Sequence, residues 1–132
     1  MALAWCPTPT TQIVHEQLLA VSCHKSMDSK LGFHGILPQN SSLQIWSAGL
    51  LSNSTNEPEV PQLLCGLGHK WGIIRQLAWC PSGCYDPETG KLGLLAAACA
   101  DGTVRIIPIC RQTSKDKLLN AMVCNVFLIL KI

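Results

Sequence analysis

QLAWCPSG, residues 76–83, contains a five-residue phrase that occurs twice in the 132-residue chain. Leu-Ala-Trp-Cys-Pro occupies residues 3–7 and again residues 77–81, an offset of 74 positions. A phrase repeated in this way indicates a chain built from successive structural units. The segments that follow each copy therefore decide what those units are.

Each copy is followed by two further segments that resemble each other. LLAVSC at residues 18–23 and LLAAAC at residues 94–99 are 76 positions apart, whereas LQIW at residues 43–46 and VRII at residues 104–107 are 61 apart. Alternation of apolar and polar residues with a period of two is typical of β-strands. The fall in offset from 76 to 61 predicts a 15-residue insertion in the first unit.

Turn residues separate these strand-like segments. Asp101 and Gly102 lie between two apolar runs, and an Asp-Gly pair there predicts a tight hairpin because glycine readily takes a positive φ angle. PQLLCG at residues 61–66 fits a fourth strand of the first unit. The chain is therefore expected to be all-β, with antiparallel four-stranded sheets.

The order of the segments resembles the WD40 repeat, the unit of one family of β-propellers. GLGHKWGIIRQLAWCPSG at residues 66–83 and KLGLLAAACADGTVRIIPI at residues 91–109 carry a Gly-His pair, a strand and turn, a second strand and an Asp-Gly hairpin. WD40 units run to about 40 to 45 residues, so the longer offset requires inserted segments. The resemblance implies an incomplete WD40-like β-propeller of about two blades with an irregular C-terminal tail.

The unit boundaries follow from this comparison. Residues 2–66 are expected to form the first blade, with an insertion at residues 24–42 and a polar linker at residues 47–60. Residues 67–110 are expected to form the second blade, and residues 111–132 a diverged strand or a truncated end. Two blades leave open apolar faces, so we interpret the chain as a fragment or short form of a larger propeller.

The resemblance also implies a structural motif. In WD40 blades a His, a Ser or Thr, an Asp and a Trp form hydrogen bonds that join a loop to a hairpin. The positions of this chain that match parts of the motif are Gly68, His69, Asp101, Gly102 and Trp46. Ile107 stands where the second unit would have its Trp. The roles implied are structural, and no catalytic residue is predicted.

The remaining tryptophans suggest packing and partner contacts. Trp5 and Trp79, which are equivalent in the repeat, are predicted to pack between neighbouring blades. Trp71 follows Lys70 after the Gly-His pair, and interfaces favour Trp as an anchor, so these two residues are candidate partner contacts. Arg105 is interpreted as a solvent-facing strand position.

Composition limits the functional classes. The formal net charge is +2 and the ten basic residues are scattered singly, so no basic stripe indicates direct nucleic-acid binding. The longest apolar stretch, residues 121–130, is interrupted by Asn125 and falls short of the ~20 residues of a membrane helix. The N-terminus has no signal-peptide pattern, so the eight cysteines are expected to be reduced thiols.

A zinc site is the main alternative from a different class. Cys80 and Cys84, with His69 nearby in sequence, are possible zinc ligands, but no second pair follows at recognised spacing. The prediction is therefore that the chain has no metal, no cofactor and no small-molecule substrate. A zinc-binding domain is kept as an alternative.

A closer resemblance comes from HKWGI at residues 69–73, CYDPETGK at residues 84–91 and ALAWCPTP at residues 2–9. These are similar to the WD40 region of the beta subunit of general transcription factor IIIC, the RNA polymerase III factor. The resemblance implies a non-enzymatic nuclear scaffold that supports transcription of transfer RNA and 5S ribosomal RNA genes. Its implied partners are the other subunits, chiefly the largest, with nucleic acid contacted only through the complex. A WD40 module of an unrelated complex is the alternative.

Overall fold

Eight β-strands account for the regular structure of the residues that the structure describes. The computed structural model describes residues 1–7, 16–24, 41–50, 60–82, 84–111 and 128–131. The strands are β1 (Ala2–Trp5), β2 (Glu16–His24), β3 (Ser41–Leu50), β4 (Gln62–His69), β5 (Ile74–Trp79), β6 (Lys91–Cys99), β7 (Thr103–Cys110) and β8 (Leu128–Lys131). Within those ranges there is no helix, and the prediction of an all-β chain is confirmed.

The strands form two antiparallel sheets of four strands each. Strands β1 to β4 make the first sheet and β5 to β8 the second, with sequential neighbours paired in both. The two sheets also match in detail, since Cys6 N donates to Leu18 O and Cys80 N donates to Leu94 O, each at 2.8 Å. The predicted arrangement of two four-stranded units is therefore confirmed, and it is that of an incomplete propeller with two blades.

Alternating burial explains why these segments are strands. In β2, Leu18, Ala20 and Ser22 are buried while the residues between them are only partly covered. The same period of two appears in β6, where Leu95 and Ala97 are fully buried. Alternate residues of a strand point to opposite faces of its sheet, so each sheet directs one apolar row into the core.

The hairpin between β6 and β7 has the predicted turn. Gly102 has a φ of 76°, a left-handed conformation that glycine adopts without the steric cost of a Cβ. Its backbone N donates to Cys99 O at 3.2 Å. The hairpin predicted from the Asp-Gly pair is confirmed.

Several strand ends differ from the expected unit boundaries. The first sheet continues past residue 66, because Gly66 and Gly68 lie within β4 and pair with β3, and His69 pairs with Ser41. Both glycines are held in the strand by pairing with the neighbouring strand β3. The first sheet thus includes residues 67–69, which had been assigned to the second unit.

The insertion and the linker of the first unit are also shorter than expected. β2 runs to His24, β3 begins at Ser41 and extends to Leu50, so strand residues occupy both edges of the predicted insertion and the start of the predicted linker. Residues 25–40 and 51–59 lie outside the described residues.

The tail supplies the fourth strand of the second sheet. β8 pairs antiparallel with β7, with Thr103 opposite Lys131 and Ile106 opposite Leu128. The tail was expected to be either a diverged strand or a truncated end, and residues 128–131 form a strand. Residues 112–127 lie outside the described part of the chain.

The two sheets meet through their first strands. β1 packs against β5, and the Trp79 indole Nε1 donates to Ala4 O at 3.0 Å. Arg111 forms an ion pair with Glu16 that also joins the sheets. The described residues contain no helix with the length and apolar character needed to cross a membrane.

Candidate interaction site

A short loop between the sheets positions the candidate partner residues. β4 ends at His69 and β5 begins at Ile74. Gly72 has a φ of 74°, and a Cβ at this position would lie 3.4 Å from Ala100 Cβ, so glycine suits both the backbone and the close approach. Ala100 N donates to Ile73 O at 2.8 Å. The loop is therefore fastened to the β6–β7 hairpin.

Asp101 organises that hairpin. Its Oδ1 accepts hydrogen bonds from Thr103 N at 3.0 Å and from Thr103 Oγ1 at 2.5 Å. Its Oδ2 accepts a hydrogen bond from Arg105 Nη2 at 2.7 Å, which is also an ion pair. Arg105 Nε in turn donates to Thr103 Oγ1 at 3.3 Å. One carboxylate thus caps the turn and neutralises a buried guanidinium.

Trp71 connects the loop to this network. Its ring stacks on His69, with ring centroids 4.5 Å apart and planes inclined by 15°. The Arg105 guanidinium carbon lies 4.7 Å from the centroid of the Trp71 ring, within the range of a cation–π interaction. We call His69, Trp71, Asp101, Thr103 and Arg105 the Trp71 cluster.

His69 is the least satisfied member of the Trp71 cluster. Its Nδ1 accepts a hydrogen bond from Trp71 N at 3.4 Å, while its buried Nε2 has no hydrogen-bond partner. Burial lowers the pKa of His69, the nearby Arg105 charge lowers it further, and Asp101 opposes this shift. The imidazole is therefore neutral at pH 7.

This pKa predicts a pH dependence of stability. The unfolded chain takes up a proton at His69 near the ordinary value of 6.5, whereas the folded chain resists protonation. The free energy of unfolding should therefore fall as the pH drops below 6.5 and continue to fall down to the folded-state pKa. Urea unfolding at a series of pH values measures this slope. His69→Phe keeps a ring for Trp71 and cannot be protonated, so an undiminished slope in this variant would contradict the assignment.

His69 and Asp101 form no hydrogen bond with each other. Asp101 bonds to Thr103 and Arg105, and among the described residues nothing donates to or accepts from His69 Nε2. Cys99, the last residue of β6, donates a hydrogen bond from its thiol to Ala97 O at 3.6 Å.

The other motif residues lie in separate places. Trp46 is on β3, where its Nε1 donates to Gln44 Oε1 at 3.0 Å. Gly68 lies in β4, where a Cβ would meet nothing within 4 Å, while Gly102 forms the hairpin turn. Of the five residues that match the motif, His69 and Asp101 are members of the Trp71 cluster and Trp46 is not.

The tryptophans predicted to pack between sheets differ from each other. Trp79 is buried and bonded to the first sheet. Trp5 is exposed, and it does not pack between two sheets within the described part of the chain. Lys70 is exposed beside Trp71, which is partly buried against the core. Trp71 is thus only partly accessible to a partner.

Arg105 and Thr103 are members of the site that the sequence interpretation missed. Arg105 was expected to face solvent, but it is buried. Asp101, Thr103 and Arg105 are spaced at every second residue, and such residues share one face of a strand. That spacing, applied to the hairpin, could have indicated the network.

Cys80 and Cys84 lie together without a third ligand. Their Sγ atoms are 3.3 Å apart, and Ser82 Oγ lies 3.1 Å from Cys80 Sγ. Hydrogen bonds from Ser82 and Cys84 lower the pKa of the Cys80 thiol. Among the described residues no group of three or more His, Cys, Asp or Glu side chains is placed to hold a metal ion, and His69 lies in the Trp71 cluster.

Known proteins resemble this chain over most of its length. It is 28% identical over 116 residues to general transcription factor 3C polypeptide 2 from Homo sapiens and from Pongo abelii, which covers 82% of this chain and 13% of each relative. It is 36% identical over 73 residues to transcription factor tau subunit sfc6 from Schizosaccharomyces pombe, covering 55% of this chain and 11% of the relative. Its relatives are transcription-factor subunits. No protein-family model matches the chain.

The chain thus spans about an eighth of the length of the relatives it matches. The similarity relates it to subunits of a transcription-factor complex.

Proposed function

We propose that this chain is a non-enzymatic interaction scaffold of WD-repeat type within the general transcription factor IIIC complex. In this role it supports RNA polymerase III transcription of transfer RNA and 5S ribosomal RNA genes in the nucleus. The observation that carries the proposal is the similarity to transcription-factor subunits from a mammal and a yeast. The two-sheet architecture supports it, because propellers present rigid surfaces to partners.

The chemistry of the Trp71 cluster favours binding over catalysis. Asp101 is committed to a hairpin turn and to Arg105, and His69 is buried against Trp71. Neither side chain offers a free acid or base to a substrate. Their contacts instead hold the loop against the hairpin, which fixes the position of the exposed Lys70.

Lys70 and the partly exposed Trp71 are the proposed partner contact. A partly exposed indole held by neighbours loses little conformational entropy on binding, and such anchors dominate interfaces. An adjacent lysine adds a charge that selects an acidic partner surface. We propose the other subunits of the complex, chiefly the largest, as the partners, with nucleic acid reached only through them.

Affinity purification from nuclear extract tests the proposal. We expect the tagged 132-residue chain to recover the largest transcription factor IIIC subunit, identified by mass spectrometry. Lys70→Glu should lower that recovery by about fivefold or more, because it reverses the charge at the contact. Arg75→Glu is the matched control, since Arg75 is an exposed cation on the adjoining strand β5.

The outcomes separate the proposal from its alternatives. Human general transcription factor 3C polypeptide 2, tagged in the same way, serves as the positive control for the extract. Recovery of that subunit by the relative but not by this chain would contradict the proposal. Recovery of a different, defined complex would favour a scaffold of another assembly. If Lys70→Glu and Arg75→Glu lowered the recovery of the subunit equally, Lys70 would not be a specific partner contact.

A further inference from the structure

Equivalent residues of the two sheets differ sharply in exposure. In β5, Leu77 and Trp79 are 6% and 7% exposed, because this face lies against the first sheet. The repeat places Leu3 and Trp5 at the corresponding positions of β1, where they are 53% and 54% exposed. The same pair of side chains is thus covered in one sheet and uncovered in the other. We call Leu3 and Trp5 the donor face.

The opposite face shows the complementary difference. In β1, Ala2 is buried and Ala4 is partly buried, and Ala4 O accepts the Trp79 indole hydrogen bond at 3.0 Å. The corresponding residues of β5 are Gln76 and Ala78, and both are exposed. We call Gln76 and Ala78 the acceptor face. The contact between β1 and β5 therefore has two uncovered equivalents, the donor face on β1 and the acceptor face on β5.

The geometry points to a second copy of this chain as the occupant of these faces. We propose that the donor face of one copy docks on the acceptor face of another, with the Trp5 indole donating to Ala78 O as Trp79 donates to Ala4 O. The two acceptor residues are paired alike, since Ala4 lies opposite Ala20 and Ala78 lies opposite Ala96. Cys6 N and Cys80 N also donate matching 2.8 Å hydrogen bonds to Leu18 O and Leu94 O.

A contact of this kind is heterologous, because two different surfaces of the chain meet. Each added copy leaves one donor face and one acceptor face open, so association continues until a ring closes. Propellers close with four to eight blades, which for units of two sheets means about two to four copies. The expected products are therefore small closed oligomers.

The proposed contact is weaker than the internal one. Gln76 replaces the Ala2 of the internal interface, and the Glu16–Arg111 ion pair that joins the two sheets has no counterpart. Leu92, which is buried, stands 76 positions after Glu16. Dissociation at low protein concentration is therefore expected, and the equilibrium is open to measurement.

Sedimentation velocity of the purified 132-residue chain over a range of concentrations tests the proposal. Oligomers that grow with concentration are expected, and Trp5→Ala should weaken the association at least about tenfold. Leu63→Ala is the matched control, because Leu63 is a similarly exposed apolar residue on the outer strand β4. Circular dichroism of each variant verifies that the strands remain folded.

A mixing experiment tests the head-to-tail geometry. Trp5→Ala weakens the donor face and Ala78→Lys blocks the acceptor face, so each variant alone is expected to be monomeric at a concentration at which the unaltered chain associates. Mixed together, they retain one productive contact between an intact donor face and an intact acceptor face, and should form a dimer that grows no further.

Three outcomes would overturn the proposal. A chain that stays monomeric at all concentrations would show that no second copy binds. Equal effects of Trp5→Ala and Leu63→Ala would place the contact elsewhere. Failure of the two variants to complement each other would exclude a head-to-tail contact. All of these measurements use the purified chain, so their failure is distinct from failure to recover a transcription-factor subunit from extract.

Discussion

We expect Trp79→Ala to lower the free energy of unfolding by about 3 to 5 kcal/mol, the usual cost of truncating a buried large aromatic side chain. Trp79 is buried between the sheets, and its indole N–H is bonded to Ala4 O. Its loss leaves a cavity where β5 meets β1 and removes a hydrogen bond. Urea unfolding followed by circular dichroism measures the change.

Trp5→Ala is the natural control for this prediction. The residue is the repeat equivalent of Trp79, but it is exposed, so the same substitution should cost less than about 1 kcal/mol. Both variants are compared at a protein concentration low enough to keep the chain monomeric. Equal destabilisation by the two substitutions would show that Trp79 does not stabilise the contact between the sheets.

The second large effect is expected at Asp101. Asp101→Ala removes the partner of the buried Arg105 guanidinium and should cost about 3 kcal/mol, because an uncompensated buried charge remains. It also removes the acceptor for Thr103 N, which fixes the hairpin turn. The measurement is again the free energy of unfolding in urea.

Two further variants separate the charge from the turn. Asp101→Asn keeps an oxygen for Thr103 N but loses the negative charge, so it should be intermediate in stability. Arg105→Met removes the buried cation, and in the Asp101→Ala background it should recover part of the loss. Additive effects of Asp101→Ala and Arg105→Met would contradict direct coupling between the two side chains.

Strand pattern was readable from the sequence because burial alternates along each strand. LLAAAC at residues 94–99 and VRII at residues 104–107 lie in β6 and β7, joined at Asp101 and Gly102. Here the local signals and the tertiary contacts agree, since a hairpin forms from residues close in sequence. The repeated phrase at residues 3–7 and 77–81 likewise identified the strands through which the sheets meet.

Strand ends were less predictable. The first unit was expected to end at residue 66, yet β4 continues through Gly68 because β3 supplies strand partners up to His69. The tail had no clean strand pattern, but residues 128–131 pair with β7. In both cases pairing with a neighbouring strand decided where the strand lies. A local sequence pattern does not contain that pairing.

The Trp71 cluster could be predicted only in part. Gly68, His69 and Asp101 were recognised by resemblance, but a motif does not reveal which polar atoms pair. Arg105 takes the carboxylate of Asp101 and lies over Trp71, while His69 keeps an unpartnered Nε2. These choices depend on distances between a loop and a hairpin that belong to different parts of the chain.

By itself, the sequence determined that the chain forms successive strands in two similar units, because period-two burial and turn residues are local properties. Only the tertiary structure decided which equivalent positions differ. Trp5 and Trp79 share the same local sequence, and one is exposed while the other is buried. The physical reason is that burial is created by a neighbouring sheet, so identical residues become core or surface according to what packs against them.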